Sequence, residues 1–191
     1  LPSTVFDHAG DGVQTSAFSA GGQQTDPGSS TTASAEYDGT SWTAGGSIST
    51  ARKKLMGLGV SNTAGLIFGG QIDTGPAQTA TEEYDGSSWS EVNDLNNGKD
   101  GLAGFGTQTA SIAAVGYAGP PGKTNATETW DGTNWTTSPA TVASARNSLS
   151  GAGTTSAGWI AGGYGPPGSV TSDTEEFNKS TNTITAAAWS S

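Results

Sequence analysis

The sequence predicts an all-β fold made of four copies of one four-stranded unit. Three observations predict it: a set of landmarks recurs four times at a step of about 47 residues, each unit divides into four short stretches bounded by turn residues, and no stretch carries a sustained helical period. The first landmark is a pair of glycines one residue apart, at Gly10/Gly12, Gly57/Gly59, Gly104/Gly106 and Gly151/Gly153. The second is a small or apolar run ending in a glycine corner, at Gly21-Gly22, Gly69-Gly70, Gly116-Tyr117 and Gly162-Gly163. The third is an aromatic residue opening a turn, at Tyr37, Tyr84, Trp130 and Phe177. The units cover about 1–48, 49–95, 96–142 and 143–191, and together make one domain of 191 residues.

Within the second unit the expected strands are 55–61, 64–71, 79–86 and 88–94, each bounded by Gly, Asn or Asp. Gly, Ser, Thr and Asn interrupt every helical candidate, so helix content is expected near zero. Strands three and four form a hairpin, because Tyr37-Asp38-Gly39, Tyr84-Asp85-Gly86 and Trp130-Asp131-Gly132 each place Asp-Gly between them. That dipeptide reaches positive φ cheaply. Five residues after each aromatic comes a tryptophan, Trp42, Trp89 and Trp135, expected to return across the hairpin onto its partner ring. In the fourth unit Phe177 is followed by a turn two residues longer, and Ile184 stands where the tryptophan would be, so this hairpin is expected to be looser.

Leu, Ile, Val and Phe make up only 25 of 191 residues, about 13%, and the net charge is −10. Both values lie where chains usually fail to fold. The six tryptophans and four tyrosines are what offsets this. Each ring buries roughly 150–250 Å², about 4–6 kcal/mol before entropy is subtracted. The acidic balance, with seven Lys and Arg, excludes the basic stripe that a phosphate backbone requires, so no nucleic-acid partner is expected. The longest apolar run, around Leu66-Ile67-Phe68, is far short of a membrane span, and no membrane insertion is expected. With no cysteine there is no disulfide, thiolate nucleophile or Cys-ligated metal. The start, Leu1-Pro2-Ser3, lacks a signal-like pattern and an initiating Met, which fits a processed or truncated product.

A strand ending in Gly-Gly, an aromatic-Asp turn about fourteen residues later and then a tryptophan resemble the kelch repeat, one blade of a β-propeller. The wording of Thr81-Glu82-Glu83-Tyr84-Asp85-Gly86-Ser87-Ser88-Trp89, of Glu91-Val92-Asn93-Asp94-Leu95 and of Gly104-Phe105-Gly106-Thr107-Gln108-Thr109-Ala110 is similar to kelch-like structural and fibre proteins of tailed phages, especially those of marine cyanobacteria. The resemblance implies a propeller of four four-stranded blades. It implies that Gly59, Gly106, Gly153 and their companions line the crowded axis and relieve collisions between blades. It implies a ring closed by packing of blade four on blade one, the alternative being a larger assembly in which neighbours supply further blades.

Catalytic and metal-binding patterns are not found in the sequence. His8 is the only histidine, and neither a nucleophile nor an orienting partner is marked for it, so a surface or packing role is expected. A related propeller family holds a copper radical oxidase, whose cysteine-crosslinked tyrosine and histidine ligands have no counterpart here. Glu36, Glu83, Glu128 and Glu176 recur once per blade, and Arg52, Lys99 and Arg146 recur every 47 residues. Such repetition reads as scaffold, the acids holding turns or pairing with bases and the bases bridging blades. No cofactor and no metal are expected.

If the chain binds a ligand, the loops between second and third strands, 23–34, 71–80, 118–123 and 165–172, vary most and share one face. There Tyr117 and Tyr164, beside Pro120-Pro121 and Pro166-Pro167, are the candidate residues for stacking on sugar rings. The expected function is non-enzymatic: a virion or extracellular module of capsid, tail or fibre that contacts other virion proteins, copies of itself or the host surface. The alternative is a freestanding lectin-like propeller that binds cell-surface glycan.

Overall fold

A computed structural model describes residues 1–24, 28–120, 122–166 and 168–178, and the backbone of 183–186. Blade 1 is β1 (Ala9–Val13), β2 (Ser16–Ala20), β3 (Ser34–Tyr37) and β4 (Trp42–Ala44); blade 2 is β5 (Met56–Ser61), β6 (Ala64–Phe68), β7 (Thr81–Tyr84) and β8 (Trp89–Glu91). Blade 3 is β9 (Ala103–Thr107), β10 (Ala110–Tyr117), β11 (Lys123–Trp130) and β12 (Trp135–Thr141). Blade 4 begins with β13 (Ser150–Thr154) and β14 (Ala157–Ala161), inserts a small hairpin of β15 (Tyr164–Gly165) and β16 (Ser169–Val170), and ends with β17 (Thr174–Asn178) and β18 (Thr183–Ala186). The protein is thus an all-β propeller of four blades, each a four-stranded antiparallel meander, with no helix among the described residues.

The strands of blade 2 are shorter than the sequence suggests. β6 stops at Phe68 because Gly69 and Gly70 turn out of the sheet at φ 67° and 99°. The corner is at Gly21-Gly22 and Gly162-Gly163 in blades 1 and 4, but in blade 3 it is Val115-Gly116, one residue earlier than the Gly116-Tyr117 pairing. Val115 takes φ 53° at a bulge between Ala114 and Gly116. That backbone is costly for a β-branched residue. Its fully buried side chain, packed between blades 3 and 4, offsets the cost.

The aromatic registers follow the repeat. Tyr37 pairs with Trp42, Tyr84 with Trp89 and Trp130 with Trp135 across the third and fourth strands, with ring centroids 5.3, 4.8 and 5.3 Å apart. Phe177 pairs with Ile184 in the same register; the expected looseness of that turn concerns 179–182, which lie outside the described residues. In the other three turns the glycine takes positive φ while the aspartate caps the loop with its side chain: Asp85 Oδ1 accepts from the backbone N–H groups of Ser87 and Ser88 at 2.8 Å. These backbone donors, with the Ser87 hydroxyl, hold the Asp85 carboxyl down to about 2, and similar bonds lower Asp38 and Asp131.

Among the described residues the core consists of three clusters, each between successive blades. Phe18, Ala20, Ile48, Leu55 and Ile67 join blades 1 and 2; Leu66, Phe68, Leu102, Trp130 and Trp135 join blades 2 and 3; Phe105, Ile112, Val142, Ile160 and Phe177 join blades 3 and 4. The inner strands β1 and β5, β5 and β9, and β9 and β13 lie side by side, whereas no comparable contact joins β13 to β1 among the described residues. Among the described residues β13 therefore does not pack on β1 as closure of blade 4 on blade 1 would require.

The glycine pairs do two different jobs. A Cβ at Gly57 would come within 2.9 Å of Ala9 Cβ and Gly10 N in the neighbouring inner strand, which is the expected inter-blade relief. The second glycine acts mainly within its own sheet: Gly106 and Gly153 take φ of 122° and 126°, and a Cβ on either would strike the adjoining second strand. Gly59 is limited from both sides, by Ala64 O in its own blade and by the Phe18 ring at 2.9 Å.

Candidate functional site

The repeating charged residues are buried between strands and loops. Arg52 Nη1 meets Glu82 Oε1 at 2.8 Å, Lys99 Nζ meets Glu128 Oε1 at 2.9 Å, and Arg146 Nη1 meets Glu175 Oε1 at 2.8 Å, with every one of these side chains essentially inaccessible. The second carboxylate oxygen of each acid accepts a backbone N–H three residues before its base, from Ser49, Asn96 and Ala143 respectively. Burial lowers the Arg52 pKa from its usual value, with Glu82 opposing that shift. The acids that pair are thus Glu82 and Glu175, not the sequence candidates Glu83 and Glu176, while Glu128 was correctly singled out. Adjacent strand residues face opposite sides of the sheet, so a one-residue difference reverses the environment.

The bases do bridge blades, but through their backbone. Arg52, Lys99 and Arg146 pair within their own blade by side chain, while their carbonyls accept from Gly22, Gly70 and Gly116 of the preceding blade at 2.8–2.9 Å. In blade 1 the positions 47 residues earlier are Val5 and Ala35, and the ion pair is replaced by apolar side chains beside a small pocket.

Glu36 has another role: its Oε1 accepts from the Tyr84 hydroxyl of blade 2. His8 is an exposed residue whose Nδ1 lies 3.0 Å from both Ala9 O and Ser19 Oγ, a local arrangement to which no acid is bonded as a third member among the described residues. Among the described residues no group of three His, Asp or Glu side chains converges on a possible metal position, and no helix is long and apolar enough to cross a membrane.

On the variable-loop face, Tyr117 and Tyr164 are 38% and 44% exposed. Lys123 links them: it pairs with Tyr117 across β10 and β11, and its Nζ lies 3.9 Å from the centre of the Tyr164 ring. Such a cation–π contact covers one face of the ring that stacking would use. Sequence reading missed Lys123, since nothing local marks a residue of blade 3 that reaches a ring of blade 4. Pro120 and Pro166 flank this patch, while Pro121 and Pro167 lie outside the described residues.

On the opposite face a groove of about 350 Å³ opens between blades 3 and 4. Thr109, Ser111, Thr129, Thr136 and Thr155 line it, with Trp130 and Asp131. The central opening of about 310 Å³ is walled by the glycine-rich inner strands of all four blades, with Asp11 the charged residue on its lining. Neither carries a convergent set of acids and bases. Comparison with models of known protein families and with curated proteins found no match to either.

Proposed function

We propose that this protein is a non-enzymatic scaffold, a kelch-like virion structural or appendage module of capsid, tail or fibre, and that it makes contacts with other subunits or a host surface. The single observation that carries the reading is how its ionic residues are used. Three times over, a base, an acid and a backbone N–H are locked together away from solvent. Charged groups that recur in three blades, each base closed on the acid of its own blade away from solvent, hold a framework rather than act on a substrate. The resemblance of the blade wording to phage fibre-like proteins supplies the virion part, and the acidic, hydroxyl-rich composition suits an exposed particle surface. The test is immunogold labelling and mass spectrometry of purified particles from the source, with an antibody raised against the chain. Labelled particles support the module; particles free of the protein overturn it.

One observation favours carbohydrate binding as a second reading, namely the assembly of Tyr117, Lys123 and Tyr164 from two blades into one half-exposed patch. On a glycan array, micromolar binding lost in Tyr117→Ala and Tyr164→Ala supports the lectin, and silence of the parent chain overturns it.

A further inference from the structure

Every internal interface joins the leading face of one blade to the trailing face of the next. On the leading side Phe18, Leu66 and Ile112 occupy equivalent positions opposite Asp11, Leu58 and Phe105, and all three are buried by the following blade. Their counterpart in blade 4 is Trp159, opposite Ala152, and it is 41% exposed. On the trailing side Trp89 meets Phe18 at 5.6 Å and Trp135 meets Phe68 at 4.8 Å. The equivalent pair in blade 1, Tyr37 and Trp42, stacks on itself and meets no ring of another blade among the described residues.

Hydrogen bonds stop at the same two ends. Residues 7, 54, 101 and 148, spaced by 47, all take left-handed backbone at φ 54–58°. They form a chain in which Lys54 N–H donates to Asp7 O, Gly101 N–H to Lys54 O and Ser148 N–H to Gly101 O, at 2.7–2.9 Å. The next link would run from an Asp7 N–H to a Ser148 carbonyl, and this pair is unjoined. In the second chain, Gly22, Gly70 and Gly116 donate to Arg52, Lys99 and Arg146, and the unjoined pair is Gly163 N–H with the Val5 carbonyl.

One side-chain bond is made at a single interface. At the first interface the Tyr84 hydroxyl donates to Glu36, which sits opposite Phe18 on β3. The counterpart of Tyr84 in blade 1 is Tyr37, and the counterpart of Glu36 in blade 4 is Glu176, opposite Trp159 on β17. The second and third interfaces have no Tyr–Glu combination at these positions: they carry Glu83 with Trp130 and Thr129 with Phe177. The two ends therefore carry the parts of the first interface, the tyrosine on blade 1 and the glutamate on blade 4.

From these ends we infer that two copies of the chain join head to tail, blade 1 of each on blade 4 of the other, into an eight-bladed ring. Both junctions are identical by the twofold axis along the propeller centre, so the assembly closes. Two sets of these four blades make a ring of eight, within the roughly four to eight blades that propellers contain. In the ring Trp159 is covered by Tyr37 and Trp42, and Tyr37 donates to Glu176. The inference deepens the scaffold reading and rests on it only for the use of the assembly, not for its geometry.

The test uses light scattering and cross-linking on the whole chain. The parent is expected at twice its 18.9 kDa mass, and Trp159→Asp at the single mass with an unchanged far-ultraviolet spectrum. Because the chain has no cysteine, the double variant Tyr37→Cys/Glu176→Cys has only the two introduced thiols. Oxidation is expected to give a covalent dimer. A parent that stays monomeric at every concentration, an open series of polymers, or an oxidised double variant that migrates as a monomer each overturns the inference. A monomeric chain still found on particles would remove the pairing and leave the scaffold reading standing.

Discussion

The hydroxyl of Tyr84 in blade 2 donates to the carboxylate of Glu36 in blade 1, tying together the hairpin ends of two successive blades. Burial first, and then this carboxylate, push the Tyr84 phenol up to about 12. A raised folded-state pKa stabilises fully below the unfolded value of 10.0 and is lost as pH rises towards 12. Absorbance titration should therefore give a tyrosine ionisation step at about 12, a step missing from Tyr84→Phe. That variant should lose about 1–2 kcal/mol in urea unfolding at neutral pH. An ordinary midpoint for all four tyrosines would refute the coupling.

The buried pair of Arg52 and Glu82 has a built-in comparison in blade 1, where Val5 and Ala35 hold the equivalent positions. Removing one partner leaves an uncompensated charge, so Arg52→Met should cost about 3–5 kcal/mol. Arg52→Met/Glu82→Leu should lie within about 1 kcal/mol of the parent, since such pairs replaced by apolar residues are often neutral. The freed Ser49 N–H belongs to an exposed residue and can turn to water. Denaturant unfolding of the parent, the single and the double variant measures this directly; equal losses in the two variants would show that packing, not charge, decides.

The Asp85 cap should be visible in acid. Its carboxyl is held down to about 2 by hydrogen-bond donors from Ser87 and Ser88. A depressed folded-state pKa contributes stability above the unfolded value near 3.8 and loses it as pH falls to about 2. Carboxyl carbon shifts followed by NMR should place Asp85 at about 2, below the ordinary 3.8, and Asp85→Asn should flatten the acid limb of the stability curve. Titration of Asp85 at an unshifted position would contradict the cap.

Gly65 sits against the ring of Phe18, where an added Cβ would lie 3.0 Å from Cε1. Gly65→Ala should cost about 1–3 kcal/mol by overpacking, and Phe18→Leu in the same chain should return part of it. Thermal unfolding of both variants tests this, and additive losses would place the cost elsewhere.

Much of the fold was legible because its signals are local and repeated. Asp38, Asp85 and Asp131 before glycine mark the same turn three times, and Tyr84 followed by Trp89 places two rings on one hairpin face. The candidate patch was legible only in part. Tyr117 and Tyr164 follow from the loops that carry them, but Lys123 joins them across two blades, and no spacing along the chain encodes that distance. Val115 was illegible for a related reason: its left-handed backbone is imposed by the bulge and held by packing from blade 4, against the preference of the residue itself.

The sequence by itself determined the number of blades, the order of their strands and the chemistry of three of their turns, since these depend on residues close together and are written repeatedly. Only the tertiary structure decided that Glu82 is buried while Glu83 is only partly so, and that Trp159 ends the array exposed. Side chains alternate across a strand, so one residue of register selects the environment. What covers a sheet face depends on which blade stands beside it, a relation between distant segments that no single repeat contains.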